Sequence, residues 1–292
     1  MIMQSKLRWS AGISLLLLLV FAAVIGKPET ADAHILRMSD RETIPLPELI
    51  KDLQKVRVIF FGESHDNPGH HRAQLQLIHV LNLAGVEVVI GLEMFRAESQ
   101  PALNKWVAGD FSLDEFLKVY HDNWSYWQEY MGIYYYARDQ GIPMIGLNVS
   151  RELISQVARN GFASLSDQQL EKLPVVQCMV DPVYMDFIRR ALGGHSGNGN
   201  NFANFCEAQL LWDKVMAKNL VDYLTANPGK VVVVLAGSGH SWKYGIPAQL
   251  KEISDIPYRV LLPEFPGRWG EDNVSFKDTD YLLLGVEEAP LH

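Results

Sequence analysis

Val56-Arg57-Val58-Ile59-Phe60-Phe61-Gly62-Glu63-Ser64-His65 is the stretch whose reading decides the fold. A β-branched and aromatic run that does not alternate with polar residues is suited to burial on both faces, as in a strand of a parallel sheet. The Gly reads as the end of that strand, and the His three residues later as part of a loop. A second segment repeats the pattern: Val231 to Ala236 leads into Gly237-Ser238-Gly239-His240. Open parallel α/β sheets bind ligands outside the carboxyl ends of their strands, so the two loops predict His65 and His240 in one crevice.

Outward from these anchors, strand and helix alternate. Val86 to Gly91 reads as a second buried strand, and between it and the first, Asn67-Pro68 has the form of an N-cap and first helical residue. Pro143 to Val149, Tyr258 to Leu262 and Tyr281 to Gly285 complete six expected strands, counting Val231 to Ala236. The stretch 101–223 is expected to be a smaller, mainly helical lobe, interrupted by the strand near 143–149. Ser112 with Glu115, and Ser166 with Gln169, have capping-box spacing; Asp181-Pro182 is a further helix start. A long helix is expected from about Asn201 to Thr225, after a loop rich in Gly and Asn at 193–201. The fold class is α/β: a mostly parallel sheet flanked by helices, carrying a smaller inserted helical lobe.

The first 33 residues read as a signal peptide. Lys6 and Arg8 precede the apolar run Ile13 to Ile25, and Ala31-Asp32-Ala33 offers the small-x-small pattern of a cleavage site before His34. An uncleaved anchor is the other possibility. No Cys stands near the end of the leader, so no lipid anchor is expected. Cleavage leaves 259 residues with 23 basic and 32 acidic side chains, a net charge of −9. An exported, acidic chain of this kind is unsuited to nucleic acid. Cys178 and Cys206 are the two cysteines. Export permits a disulfide between them, and two buried thiols are equally compatible with the sequence.

The strand ends carry the chemistry. Glu63 and His65 follow the first run, Glu93 the second, Asn148 the third and His240 the fourth. Imidazoles and carboxylates in one crevice suit a divalent transition metal that activates water. They equally suit metal-free acid–base work by Glu63 or Glu93 with His65. Each residue also has a structural role open to it, as a helix cap or an acceptor of backbone N–H groups. His70 and His71 are neighbours on a helix, so at most one is expected to face the site. No Gly-x-Ser-x-Gly elbow or phosphate-binding loop is present, which argues against acyl-serine and nucleotide chemistry.

A second signal is aromatic. Tyr120, Trp124, Tyr126, Trp127, Tyr130, Tyr134, Tyr135 and Tyr136 crowd one segment, and helical spacing puts Tyr126, Tyr130 and Tyr134 on one stripe. Such a stripe is either core packing or a flat surface for a planar ligand, with a Tyr hydroxyl available to ferric haem.

Gly62-Glu63-Ser64-His65-Asp66-Asn67-Pro68, Gly91-Leu92-Glu93-Met94-Phe95, Ala208-Gln209-Leu210-Leu211-Trp212-Asp213 and Ala236-Gly237-Ser238-Gly239-His240 with Gly245-Ile246-Pro247 together resemble the ChaN family of bacterial haem-binding uptake proteins. The resemblance runs from about Leu46 to Leu262. It implies an envelope location and haem held between two protomers, with a Tyr of one on iron and a His and a Lys of the other on the propionates. Tyr126, Tyr130 and Tyr244 are the candidate Tyr ligands; Lys243 or Lys214, with His65 and His240, are candidates for the propionates. The expected partners are haem, a second copy of the chain and components of envelope transport. The same Gly-x-x-His pair resembles the wider superfamily of TIKI-type metalloproteases and erythromycin esterases. That likeness implies the alternative of a metal-dependent envelope hydrolase, with His65, Glu93 and His240 on the metal and Glu63 assisting.

Overall fold

The computed structural model of the chain describes residues 33–191, 199–265, 267–286 and 291. The expected leader, apart from Ala33, and most of the Gly- and Asn-rich stretch 193–201 lie outside them. The strands are β1 (His34–Arg37), β2 (Glu42–Ile44), β3 (Val58–Glu63), β4 (Val88–Arg96), β5 (Met144–Asn148), β6 (Val231–Gly237), β7 (Tyr258–Pro263) and β8 (Tyr281–Leu284). The helices are α1 (Leu46–Leu53), α2 (Pro68–Leu83), α3 (Gln100–Ala108), α4 (Leu113–Asn123), α5 (Trp127–Gln140), α6 (Arg151–Asn160), α7 (Asp167–Leu170), α8 (Pro182–Ala191), α9 (Gly199–Ala226), α10 (Ser238–Ser241) and α11 (Ile246–Ile253). Among the described residues no helix is long and apolar enough to cross a membrane.

The strands form one sheet in the order β2-β1-β8-β7-β3-β6-β4-β5. The six from β8 to β5 run parallel, and β1 joins β8 and β2 antiparallel at the other edge. All six expected strands are therefore present. The edge pair β1 and β2 was not expected: at four and three residues, carrying Arg37 and Glu42, it is too short and too charged to signal a strand. Ala33, the last residue of the expected leader, is buried and bridges to Leu291.

Burial on both faces is visible residue by residue. Ile59, Phe61, Ile90, Leu92, Val233 and Leu235 enter one core cluster, while Val58, Phe60, Val89, Val232, Val234 and Ala236 enter another. Helices α2 to α5 cover the first face, and α8, α9 and α11 the second; α6 with α9 and the stretch around Leu165 and Val176 forms a smaller third cluster. The aromatic segment is core in large part: Tyr120, Tyr130 and Tyr134 are fully buried in the first cluster, where Trp106 of α3 joins them.

Two expectations need correction. Gly62 and Gly91 do not end their strands, which continue to Glu63 and Arg96. The glycines answer to close packing: a Cβ on Gly62 would lie 2.6 Å from Leu262 Cδ2 and 2.8 Å from Ser238 Oγ, and one on Gly91 would lie 2.9 Å from Val232 Cγ1. Tyr126 also leaves its stripe. It precedes α5 at a left-handed φ of 61° and is 52% exposed, while Tyr130 and Tyr134 are buried.

Local signals hold where they rest on capping chemistry. Asn67 accepts from the Gly69 and His70 amides at 2.9 and 3.2 Å, and Ser112 and Glu115 form a complete capping box. Replacing Ser112 by Ala should cost about 1 kcal/mol, read as a lower urea midpoint at unchanged slope.

Candidate functional site

The parallel strands deliver their carboxyl ends to one edge, where β3 lies beside β6 with Glu63 opposite Gly237. Glu63 is buried and surrounded by donors. Its Oε1 accepts from His65 Nδ1 at 2.8 Å and from the Tyr130 hydroxyl; its Oε2 accepts from Gln74 Nε2 at 2.7 Å, with His71 Nδ1 at 3.4 Å. Burial by itself would raise the Glu63 carboxyl. The His65 hydrogen bond, the charges of His71 and His65 and the Tyr130 bond outweigh it and hold the group below its ordinary range.

A second dyad faces the first across β6. His240 Nδ1 lies 2.6 Å from Asp213 Oδ1 on α9, and Asp213 Oδ2 accepts from the Tyr184 hydroxyl of α8 at 2.6 Å. Between the dyads stands Glu93, one of whose oxygens accepts from the Gly237 amide at 2.7 Å while the other lies 3.8 Å from His240 Nε2. The β4–β5 register shifts between Leu92 and Arg96, so Glu93 sits in an irregular stretch of strand. The His65 ring packs on Gly237, where a Cβ would come within 3.2 Å of its Nε2. Trp124 and Trp212 meet His65 and His240 edge-on, with centroids 5.0 and 5.1 Å apart.

Carboxylates set the charge of both imidazoles. Burial opposes charging of His65, yet the Glu63 bond and the Glu93 and Glu63 charges push it up to about 9. For His240 burial again opposes, and the Glu93 and Asp213 charges with the Asp213 bond push it up to about 9. Burial raises the Asp213 carboxyl, and His240 only partly offsets that. Both imidazoles are thus cationic at neutral pH, with Nδ1 spent on a carboxylate and Nε2 left for the crevice.

A stability prediction follows from that arrangement. An imidazole at 6.5 in the unfolded chain and about 9 in the folded one stabilises fully below pH 6.5, and loses that contribution as pH rises through 9. Unfolding free energy, measured by urea denaturation at pH 6, 8 and 10, should fall by roughly 3 kcal/mol for each imidazole across the series.

The structure brings Glu63, His65, Glu93, Asn148 and His240 to the same sheet edge, as the strand ends implied. Asn148 is pinned there: its Nδ2 donates to the Glu93 carbonyl at 2.7 Å and its Oδ1 accepts from the Trp212 indole. Both members of the His pair face inward, contrary to the expectation of one. His70 Nδ1 accepts from the Ser64 amide at 2.9 Å, and His71 Nε2 lies 3.2 Å from the His65 carbonyl. The loop folds back over the first turn of α2, so two adjacent positions can both reach it.

Tyr184 and Gln74 were not anticipated in these roles; Asp213, open in sequence to either a solvated face or a contact to the site, is buried and bonds His240. Asp213 alone had a signal, a carboxylate in an apolar helical stretch. Among the described residues no three His, Cys, Asp or Glu side chains are arranged to hold a metal ion.

The candidate haem residues separate. Tyr130 is buried and donates to Glu63, which with burial pushes its phenol far above the ordinary range. Tyr126 is exposed, and Tyr244 is half-buried beside Trp242, with ring centroids 4.9 Å apart. Lys243 is held by Asp280 at 2.7 Å and by the Phe276 carbonyl at 2.7 Å, and Lys214 by Glu252 at 3.1 Å. Beside Trp242 a cavity of about 490 Å³ is lined by Phe187, Trp269, Phe265, Arg190 and Arg268. It adjoins the His crevice of about 250 Å³, with which it shares Phe265, Arg268 and Trp269.

A parallel-rich α/β sheet with paired His–carboxylate dyads at its carboxyl edge defines the class of protein. The chain belongs to the haem-binding uptake family of the Tiki superfamily, ChaN, whose pattern its residues 49–250 match. In fold it is similar to ChaN of Campylobacter jejuni, solved with cofacially bound haem, at 24% identity and a TM-score of 0.66 over 86% of this chain and 96% of that one. An erythromycin esterase structure is more distant, at 14% identity and a TM-score of 0.49 over 86% and 82% of the two chains. In sequence, the chain is 27% identical over 157 residues to RETICULATA-RELATED 5, a chloroplastic protein of Arabidopsis thaliana. That match covers 51% of this chain and 20% of the plant protein.

Proposed function

We propose that this chain is an exported haem-binding protein of haem or iron uptake in the bacterial envelope, holding haem between two copies of itself through a Tyr phenolate. Family membership carries the reading. The donor set beside the crevice supports it. A porphyrin is flat and apolar on its faces and anionic at one edge, so it asks for aromatic walls, cationic groups and an accessible phenol. Trp242, Trp269 and Phe187 form a continuous aromatic group, with Phe187 and Trp242 5.0 Å and Trp242 and Trp269 5.4 Å apart. The Arg268 guanidinium lies 5.5 Å from the Phe187 ring centre, and Arg190 lines the same cavity.

In this arrangement Tyr244, whose ring packs on Trp242, would hold the iron, with Arg190 and Arg268 of the neighbouring cavity available to the propionates. Tyr126 is the second candidate, and Tyr130, committed to Glu63, is not carried forward. Bound haem would supply the ferric iron that the chain carries. Lys243 could meet a propionate only by leaving Asp280.

Export is supported by the leader pattern at 1–33 and by the disulfide between Cys178 and Cys206, a bond that persists in oxidising compartments. Secretion should yield a mature chain beginning at His34, read by amino-terminal sequencing. Gel filtration with light scattering, with and without hemin, tests the shared ligand. Doubling of the mass on hemin addition is expected, and a haem-loaded monomer would rule out the two-copy site.

A further inference from the structure

Helix α8 reaches the crevice through two side chains. The Tyr184 hydroxyl bonds Asp213, the partner of His240. Phe187 lies flush on the second Gly-x-x-His segment: a Cβ on Gly239 would come within 2.6 Å of Phe187 Cζ. The same ring is a wall of the aromatic cavity. The helix is half of a closed loop, because Cys178 just before it is bonded to Cys206 of α9, 28 residues further on.

Among the described residues the loop takes no part in the first core cluster and is anchored in the second through Tyr184 and Ile188 of α8 and Cys206 of α9. The first core cluster contains no residue between Met144 and Val231, and the ladder of β3, β4, β6 and β7 is complete without the loop. On α8 itself, Tyr184 and Ile188 are buried, while Val183, Asp186, Arg189 and Arg190 are exposed. Opening energies within one domain range from near zero to the global value, and a lightly anchored helix over a site belongs at the low end. A covalent tie on such a helix sets how far it can lift.

We propose that the Cys178–Cys206 disulfide is a redox-sensitive strap that holds α8 over the crevice and its aromatic cavity, and that reduction by a dithiol lets the helix lift and opens both. Cys206 is fully buried and Cys178 partly exposed, so the Cys178 sulfur is the point of attack. A thiolate of the dithiol forms a mixed disulfide with Cys178, and Cys206 leaves as thiolate and takes up a proton. The second thiol of the reductant then attacks its own sulfur, closes the oxidised reductant and releases Cys178 as a thiol. Two electrons and two protons pass from the dithiol to the cystine.

Regulation of haem access rests on the function proposed above, whereas lifting of α8 does not. Hydrogen–deuterium exchange on the full mature chain, oxidised and after dithiothreitol, tests the lifting. Residues 182–190 and 237–241 should exchange about ten-fold faster when reduced, with β3, β4 and β6 unchanged. The double variant Cys178→Ser and Cys206→Ser should behave as the reduced protein. Phe187→Ala, with the disulfide intact, should speed exchange at 237–241 alone.

Unchanged exchange at 182–190 on reduction would overturn the strap, as would faster exchange throughout β3 and β6, which would make the disulfide a global staple. A silent Phe187→Ala would show that α8 does not cover the loop. Hemin, if bound, should dissociate several-fold faster from the reduced protein. A chain that takes no hemin in either state removes the proposed function, and the exchange result still decides the strap.

Discussion

Replacing Glu63 by Ala is expected to destabilise the protein by about 3–5 kcal/mol, a larger loss than at any other single crevice position. The carboxylate is buried at the end of β3 and accepts from His65, Tyr130 and Gln74 while facing His71. Tyr130, Gln74 and His71 are themselves buried, so their donors cannot turn to water when the acceptor goes. The His65 cation also loses its closest counter-charge, and its pKa should fall from about 9 toward the ordinary value. Glu63→Gln keeps the volume and one acceptor oxygen, and should cost roughly half as much. Urea unfolding of the three proteins at pH 7 checks the order. A loss below about 1 kcal/mol for Glu63→Ala would mean that the crevice is wetter than its burial implies.

Tyr244→Phe is expected to abolish the phenolate-to-iron charge-transfer band of the hemin complex and weaken binding roughly ten-fold or more, a cost of at least ~1.4 kcal/mol. The fold should be indifferent to the change, because the Tyr244 ring is half-buried at the rim of the second core cluster and its packing on Trp242 needs no hydroxyl. Tyr130→Phe should do the reverse. It removes a buried donor to Glu63, so stability falls while the band stays. Loss of the band in Tyr126→Phe, with Tyr244→Phe retaining it, would move the iron to the start of α5, where Tyr126 stands exposed.

The parallel core was legible because β3, β4 and β6 are buried on both faces and so carry unbroken apolar runs. The same property assigns Glu63, His65, Glu93 and His240 to one edge from sequence alone, since a parallel sheet sends all its carboxyl ends the same way. The meaning of the glycines was not legible. Gly62 looks identical in sequence whether it breaks a strand or makes room for Leu262 and Ser238, and only the neighbouring strands decide. The groups that hold His240 could not be settled from sequence for a related reason. Asp213 reaches His240 from a helix 27 positions away, and Tyr184 reaches Asp213 from another, so their meeting depends on helix placement that no local pattern records. Tyr126 failed its stripe because a left-handed residue before α5 resets the helical phase.

The Gly-x-x-His pair thus marks a charged, internally neutralised crevice, and an aromatic-lined cavity lies beside it. Optical titration of the purified mature chain with hemin tests haem binding most directly. A saturable, shifted Soret band with a phenolate charge-transfer band is the predicted result. Absorbance that grows in proportion to added hemin, with the spectrum of free hemin and no saturation, would contradict it.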